Sequence, residues 1–279
     1  MNSELSTQAL DSVTGFIFDI DGTLALADRM LSGYEPLPGA VEILELLAER
    51  GIPYAAFTNG STKTPQELAR TLLKAGLPVV EHRTLTPISI AVDIFSRKKY
   101  RRILALGVEG VWKPLIEAGF DVVISPHRAD DADAVLVGWH PEFRLADLDA
   151  ASHAIWAGAA LYTVSTAPVV ASRSGRTLGI SGALTAALRS ITAKRAVIVG
   201  KPSLDALRVA CGRLGKQARE IAIVGDDPTL ENAMAMKGGA ISIGVHSGLS
   251  GPAEFAALPK DLRPHYSLSG VAQLLEMLR

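Results

Sequence analysis

The chain has 279 residues, enough for one large domain or two smaller ones. Hydrophobic residues make up 48% and charged residues 20%, which excludes a disordered chain, and a net charge of -1 argues against a general nucleic-acid or anionic-membrane surface. A single cysteine, Cys211, excludes an intrachain disulfide. The polar, acidic start has no leader pattern and no apolar run is long enough to span a bilayer, so the expected location is the cytoplasm.

Residues 1–13 read as a frayed terminus. Residues 15–20 are short, apolar and rich in Phe and Ile, the pattern of a strand buried on both faces. That strand runs into Asp19-Ile20-Asp21-Gly22. Side chains alternate faces along a strand, so Asp19 and Asp21 point the same way, and Gly22 lets the chain turn. Two carboxylates held together repel unless a cation lies between them or they share a proton. Residues 22–38 are too apolar at Leu24, Leu26, Met30 and Leu31 for a solvated loop and read as a flap over the strand end.

A helix follows over 39–50, with Val41, Leu44, Leu47 and Ala48 on one face and Gly51 ending it. The second strand, 52–58, leads to Asn59-Gly60-Ser61. The next helix opens with Thr64 as N-cap, Pro65 in its first turn and Glu67 closing a capping box, and Gly76 follows its end. This β-α-β-α start predicts a parallel sheet.

Residues 84–190 carry further helices and strands and have the content of an α/β layer of their own. Helices are expected over 86–96, 111–118, 145–157 and 180–191. Strands are expected over 102–107, 122–125, 134–137 and 160–165. Arg173-Ser174-Gly175-Arg176 has hairpin chemistry. Trp139 and Trp156 are expected in the core. The last third returns to βα units: a strand over 196–200 leading to Lys201-Pro202, one over 221–225 leading to Asp226-Asp227-Pro228, and one over 240–245. Helices are expected over 203–214, 228–237, 252–258 and 270–278.

Four strand ends therefore present polar groups: Asp19 and Asp21, then Thr58 and Asn59, then Lys201, then Asp226 and Asp227. In a parallel sheet all four endings lie on one edge, where open α/β sheets bind ligands. The inventory suits a phosphoryl group with Mg²⁺, which takes a few carboxylates plus water and phosphate oxygens.

These residues, in this order, resemble the haloacid dehalogenase (HAD) superfamily of phosphohydrolases. Asp19-Ile20-Asp21-Gly22-Thr23 resembles its first motif, Thr58-Asn59 its second, Lys201 its third and Gly225-Asp226-Asp227 its fourth. The gap of over a hundred residues before Lys201 is similar to that of members with an inserted C2-type cap. Phe57-Thr58-Asn59-Gly60-Ser61 and Val199-Gly200-Lys201-Pro202-Ser203 look most like the class IIA branch, with its NagD-like, 4-nitrophenyl phosphatase-like and phosphoglycolate phosphatase-like enzymes.

The resemblance implies an α/β fold, a Rossmann-like three-layer parallel-sheet core (1–83 plus 191–279) with an inserted α/β C2-type cap (84–190). It implies a Mg²⁺-dependent hydrolase of small phosphomonoesters, with phosphotransferase, phosphomutase and catalytically weak binding proteins as alternatives built on the same motifs. Asp19 would be the nucleophile that becomes an aspartyl-phosphate, and Asp21 the general acid–base. Thr58, Asn59 and Lys201 would bind the phosphoryl group, and Asp19, Asp226 and the main-chain carbonyl of Asp21 would hold Mg²⁺. Many relatives carry a second aspartate after the fourth-motif one, and here Glu231 stands in that place. Asp227 or Glu231 would support the metal from the outer shell, or Asp227 would simply cap the helix. The implied partner is a small phosphorylated metabolite, chosen by a cap loop over 165–176, where Arg173 and Arg176 would meet an anionic leaving group or lie solvated. A homodimer through the cap is implied by resemblance alone.

Overall fold

The structure is a computed structural model and describes residues 10, 12–28, 33–172 and 175–279. Most of the expected frayed terminus lies outside these residues, as do Met30 and Leu31 of the flap, and Arg173 and the side chain of Arg176 in the hairpin.

β1 (Gly15–Phe18) is buried along its length, and the chain turns at Gly22, whose φ of 98° few other residues adopt. The expected flap is a hairpin of β2 (Ala25–Ala27) and β3 (Tyr34–Pro36), paired antiparallel. α1 (Ala40–Glu49) buries Ile43, Leu44 and Leu47, while Ala48 faces solvent. β4 (Tyr54–Phe57) leads through the loop to α2 (Pro65–Lys74). The expected capping box is formed: Glu67 N donates to Thr64 Oγ1 at 3.2 Å, and Thr64 N donates to the Glu67 carboxylate at 2.9 Å. A short β5 (Thr84–Leu85) precedes α3 (Pro87–Lys98).

The middle of the chain runs β6 (Arg102–Leu106), α4 (Glu109–Glu117), β7 (Asp121–Ile124), β8 (Ala134–Val137), α5 (Leu145–Trp156) and β9 (Ala160–Thr163). A hairpin of β10 (Val169–Ser172) and β11 (Gly175–Leu178), α6 (Ile180–Thr192) and β12 (Val197–Ile198) complete it. The last third holds α7 (Leu204–Leu214), β13 (Ile221–Gly225), a π turn (Pro228–Asn232) opening α8 (Ala233–Gly238), β14 (Ile241–Val245), α9 (Pro252–Ala256), β15 (Tyr266–Leu268) and α10 (Val271–Leu278).

Among the described residues two wholly parallel sheets form. The first has the order β15-β14-β13-β1-β4-β5 and the second β12-β9-β8-β6-β7. Sheet pairing crosses both expected boundaries of the insertion: Thr84–Leu85 is the edge of the first sheet, and Val197–Ile198 is the edge of the second.

The period of two along each strand decides which helices cover which face. Phe16 and Phe18 of β1 pack with Leu44 and Leu47 of α1, Leu72 of α2 and Leu274 of α10, whereas Ile17 faces the other way. Ile17 joins Ile88 and Phe95 of α3, Leu207 of α7, and Ile103 and Ala105 of β6 in one buried cluster. The alternate residues of β6, Leu104 and Leu106, pack on Ile155 of α5 and Leu188 of α6. The layers are thus helix, sheet, shared helices, sheet, helix. Each fully buried Leu, Ile or Phe contributes about 1.5–3 kcal/mol, so the shared layer couples the two sheets strongly. Among the described residues no helix is long and apolar enough to cross a membrane.

The second sheet is also docked on the loop after β4. Trp139 N, just past β8, donates to Ser61 Oγ at 2.9 Å. The first turn of α4 lies against the same loop at Gly110, where a Cβ would stand 2.6 Å from Lys63 N and from the carbonyl carbon of Thr62. Gly110→Ala should therefore cost about 1–3 kcal/mol by overpacking against backbone, read as a fall in Tm. Gly212→Ala in α7, where a Cβ meets nothing within 4 Å, should leave Tm unchanged or slightly raised.

Candidate active site

Three of the four expected strand ends meet on one edge. Asp19 and Asp21 leave β1, Thr58 leaves β4 and Asp226 leaves β13, and β4 and β13 flank β1. The fourth does not belong to that sheet, which corrects the expectation of a single edge. β12 pairs with β9, Val197 opposite Tyr162 and Ile198 opposite Thr163, so Lys201 arrives from the second sheet. Asn59 ties this segment to the first: its Nδ2 donates to Lys201 O at 3.0 Å and its Oδ1 accepts from Lys201 N at 2.8 Å. The side chain thus holds the Lys201 peptide, while the expected phosphate contact of Asn59 is through its backbone N–H.

Lys201 is buried. Its ammonium donates to Asp19 Oδ1 and to Phe57 O at 2.8 Å, and lies 2.6 Å from Glu231 Oε1. Asp21 Oδ2 accepts from Thr58 Oγ1 at 3.1 Å, and Gly60 N donates to that same hydroxyl oxygen at 2.9 Å. Asp21 Oδ1 is buried with no hydrogen-bond partner among the described residues. Asp226 Oδ2 accepts from Leu249 N at 2.6 Å. Asp227 is the helix cap, its Oδ1 accepting from Thr229 N at 2.6 Å and from Thr229 Oγ1 at 2.7 Å.

The charges are unbalanced. Asp19, Asp226 and Glu231 are buried beside one buried ammonium, and Asp21 opens onto the same cavity. Burial pushes Asp19 up to about 6, with Lys201 opposing and Asp21 adding to the rise. Burial likewise raises Asp21 to about 6, against the Thr58 hydrogen bond and the charges of Lys201 and Lys63. Asp226 is raised to about 8 by burial and then by the charges of Asp19 and Glu231. Burial alone would lower Lys201, but Asp19 and Glu231 outweigh it and hold the lysine above its ordinary value.

Residues 16–121 match the family described as haloacid dehalogenase-like hydrolase, and residues 198–274 match one described as HAD-hydrolase-like. NagD, the ribonucleotide monophosphatase of Escherichia coli, is 26% identical and superposes with a TM-score of 0.81 over 94% of this chain and 98% of its own. The 4-nitrophenylphosphatase of Thermotoga maritima is 25% identical, with a TM-score of 0.86 over 97% of this chain and 99% of that one. The chain belongs to the HAD-like hydrolases. Within them it falls in the class IIA phosphatases, a family of phosphoric monoester hydrolases with an inserted parallel α/β cap. A glycerol phosphate phosphatase of Mycobacterium tuberculosis, 24% identical, has the same fold, with a TM-score of 0.82 over 96% of this chain and 77% of that one, in a complex with magnesium.

The donor set of this HAD-like hydrolase fits one such hard cation. Among the described residues no group of three or more His, Cys, Asp or Glu side chains is gathered for a metal. The expected set needs only two carboxylates, Asp19 and Asp226, with a main-chain carbonyl and water. Among the described residues Asp226 meets no ammonium of its own, that of Lys201 sitting on Asp19, Phe57 O and Glu231. The excess of carboxylate charge is what a divalent ion would neutralise.

The cavity wall matches the sequence expectations in part. Trp139, expected in the core, lines the cavity, and Trp156 is 59% exposed. Ser165, Ala167 and Val169 of the expected cap loop line the same cavity, with Ile180 at the start of α6. Tyr34 on the flap and Lys63 before α2 both lie in the field of Asp21. Lys63 lies two residues past Ser61, the end of the second-motif stretch, and Tyr34 falls in the expected flap, but nothing in the sequence marks either as facing Asp21.

In metal-free protein, Asp226 stands at about 8 when folded against an ordinary 3.8. A raised carboxyl gives stability that is complete below the ordinary value and is lost as pH rises through the folded one. Asp226→Asn should therefore raise the metal-free Tm most at pH 8.5, by roughly 2–4 °C for each kcal/mol recovered. The gain should shrink towards pH 4, and saturating Mg²⁺, which binds the parent, should narrow it. Thermal scans with and without chelator measure all three.

Proposed function

We propose that this class IIA enzyme is a Mg²⁺-dependent phosphatase of small phosphomonoesters that works through an aspartyl-phosphate on Asp19. The observation that carries the reading is the pair of carboxylates with opposite surroundings. Asp19 rests on the ammonium of Lys201, which favours the charged nucleophile. Burial raises both carboxyls to about 6, but Asp21 has no ammonium on it and keeps one buried oxygen without a partner among the described residues, which favours the proton there.

In the first step an Asp19 oxygen attacks phosphorus, the bond to the leaving oxygen breaks, and Asp21 gives that oxygen its proton. In the second, Asp21 takes a proton from water as the water attacks phosphorus, and inorganic phosphate leaves with Asp19 restored. Thr58, whose hydroxyl donates to Asp21, aims the acid. Lys201 offsets charge on Asp19 and the transferring group. Asp19, Asp226 and the Asp21 carbonyl would hold Mg²⁺, which neutralises phosphoryl oxygens when bound. The leaving group would lie under the cap between Trp139 and Ile180, which line the same cavity as Asp19. Sugar, glycolyl, glycerol and nucleotide phosphates are the substrate classes to try. The cap would span about 86–198, following the sheet pairing.

Phosphate release from a metabolite panel with Mg²⁺ tests this reading, and Asp19→Asn should lose about 10⁴-fold or more in kcat. Full activity in that variant would remove the nucleophile assignment, and phosphate appearing on a second sugar would favour transfer. With an alkyl phosphate, kcat/KM should rise as Asp19 loses its proton and fall as Asp21 loses its own, with Mg²⁺ drawing the first limb lower. With 4-nitrophenyl phosphate, whose leaving group needs no proton, the alkaline limb should flatten. Trp139→Ala should raise KM for aromatic leaving groups by about 5–100-fold, the worth of one stacked ring, and change KM for glycerol phosphate little.

A further inference from the structure

We propose that Glu231 is a positioning residue acting through Lys201, and that it serves the metal neither directly nor through water. The inference rests on Asp19 being the nucleophile.

An ammonium has three protons. At Lys201 Nζ they face three acceptors: Asp19 Oδ1, Phe57 O at 2.8 Å and Glu231 Oε1 at 2.6 Å. The other Glu231 oxygen, Oε2, accepts from Asp227 N at 3.2 Å. Both oxygens of this buried side chain are thus taken by groups of the chain. Asp19 and Asp226, the expected metal pair, leave the ends of β1 and β13.

The backbone around Glu231 is shaped for this contact. The helix opens with a π turn, Pro228–Asn232, in which Asn232 N reaches back five residues to Asp227 O. A π turn rotates each residue less than an α turn does, so it alters which side chain faces inward, and such turns are frequent at functional sites. Gly225 at the end of β13 makes the room: a Cβ there would stand 2.1 Å from Glu231 Cγ.

The chemical consequence lies in the second half of the reaction. Once Asp19 carries the phosphoryl group, its carboxylate no longer holds the ammonium as an ion pair. Phe57 O and Glu231 still do, so Lys201 stays beside the phosphorus while water attacks. Without the charge on Glu231, the lysine is anchored by one carbonyl and is free to follow the phosphoryl oxygens.

The test compares Glu231→Gln, Lys201→Ala and the double variant, with Mg²⁺ binding measured by calorimetry on the same full-length proteins. Glu231→Gln should lower kcat by about tenfold or more, leave KM within about twofold, and leave the Mg²⁺ Kd within about twofold. In the Lys201→Ala background it should add less than about twofold, because its route of action is gone. Glu231→Asp, shorter by one methylene, should fall between parent and Gln, which keeps the test open if the Gln protein folds poorly. A Mg²⁺ Kd weakened about tenfold, with kcat recovering at high Mg²⁺, would overturn the proposal in favour of a metal role. So would an unchanged kcat, or an equal loss in the Lys201→Ala background. Asp19→Asn with parental activity would instead overturn the phosphatase mechanism itself.

Discussion

One buried ammonium among several carboxylates is the constraint on which the site depends. Lys201 could not stay charged in that interior alone, and Asp19 and Glu231 could not stay charged without it. The lysine does not balance the set, however. Burial raises Asp21 and Asp226, the surplus negative charge adds to the rise at Asp226, and that surplus leaves room for a divalent ion. A site that is metal-free is therefore under electrostatic stress, which the divalent ion of the proposed mechanism would relieve.

That constraint explains the surrounding architecture. The ammonium must reach the end of β1 from outside the first sheet, since the positions beside β1 are occupied by β4 and β13. The chain solves this by running Lys201 off the edge of the second sheet and clamping its peptide with the Asn59 amide. The shared layer of α3 and α7 fixes the distance between the sheets, and Ser61, Gly110 and Trp139 fix the loop between them. Fold and catalysis are joined at these few contacts.

Much of this was legible in the sequence. β1 and β13 are apolar runs ending in Asp, and their helices carry caps and closing glycines, so the parallel sheet and three of its polar ends could be read directly. The two-residue strand Val197–Ile198 carries no mark of its partner: apolar residues before a lysine fit the edge of either sheet. The Asn59 clamp is not legible, because the sequence does not tell which groups its amide will meet across 142 residues. Trp139 was assigned to the core because hydrophobicity does not separate a core wall from a cavity wall. Glu231 needed the π turn, and nothing in Pro228-Thr229-Leu230-Glu231 distinguishes that turn from an α turn.

The placement of β12 also bears on how this enzyme can be rebuilt. An inserted cap is normally treated as a module to exchange between relatives, cut where the chain leaves and re-enters the catalytic core. Here the returning strand belongs to the second sheet and carries the buried ammonium of Lys201 three residues beyond its end. A cap exchanged at that junction would take with it the support of Lys201, so a working graft must carry 197–203 from the donor along with the residue that clamps it, here Asn59. Substrate selection and charge delivery are inherited as one piece of chain.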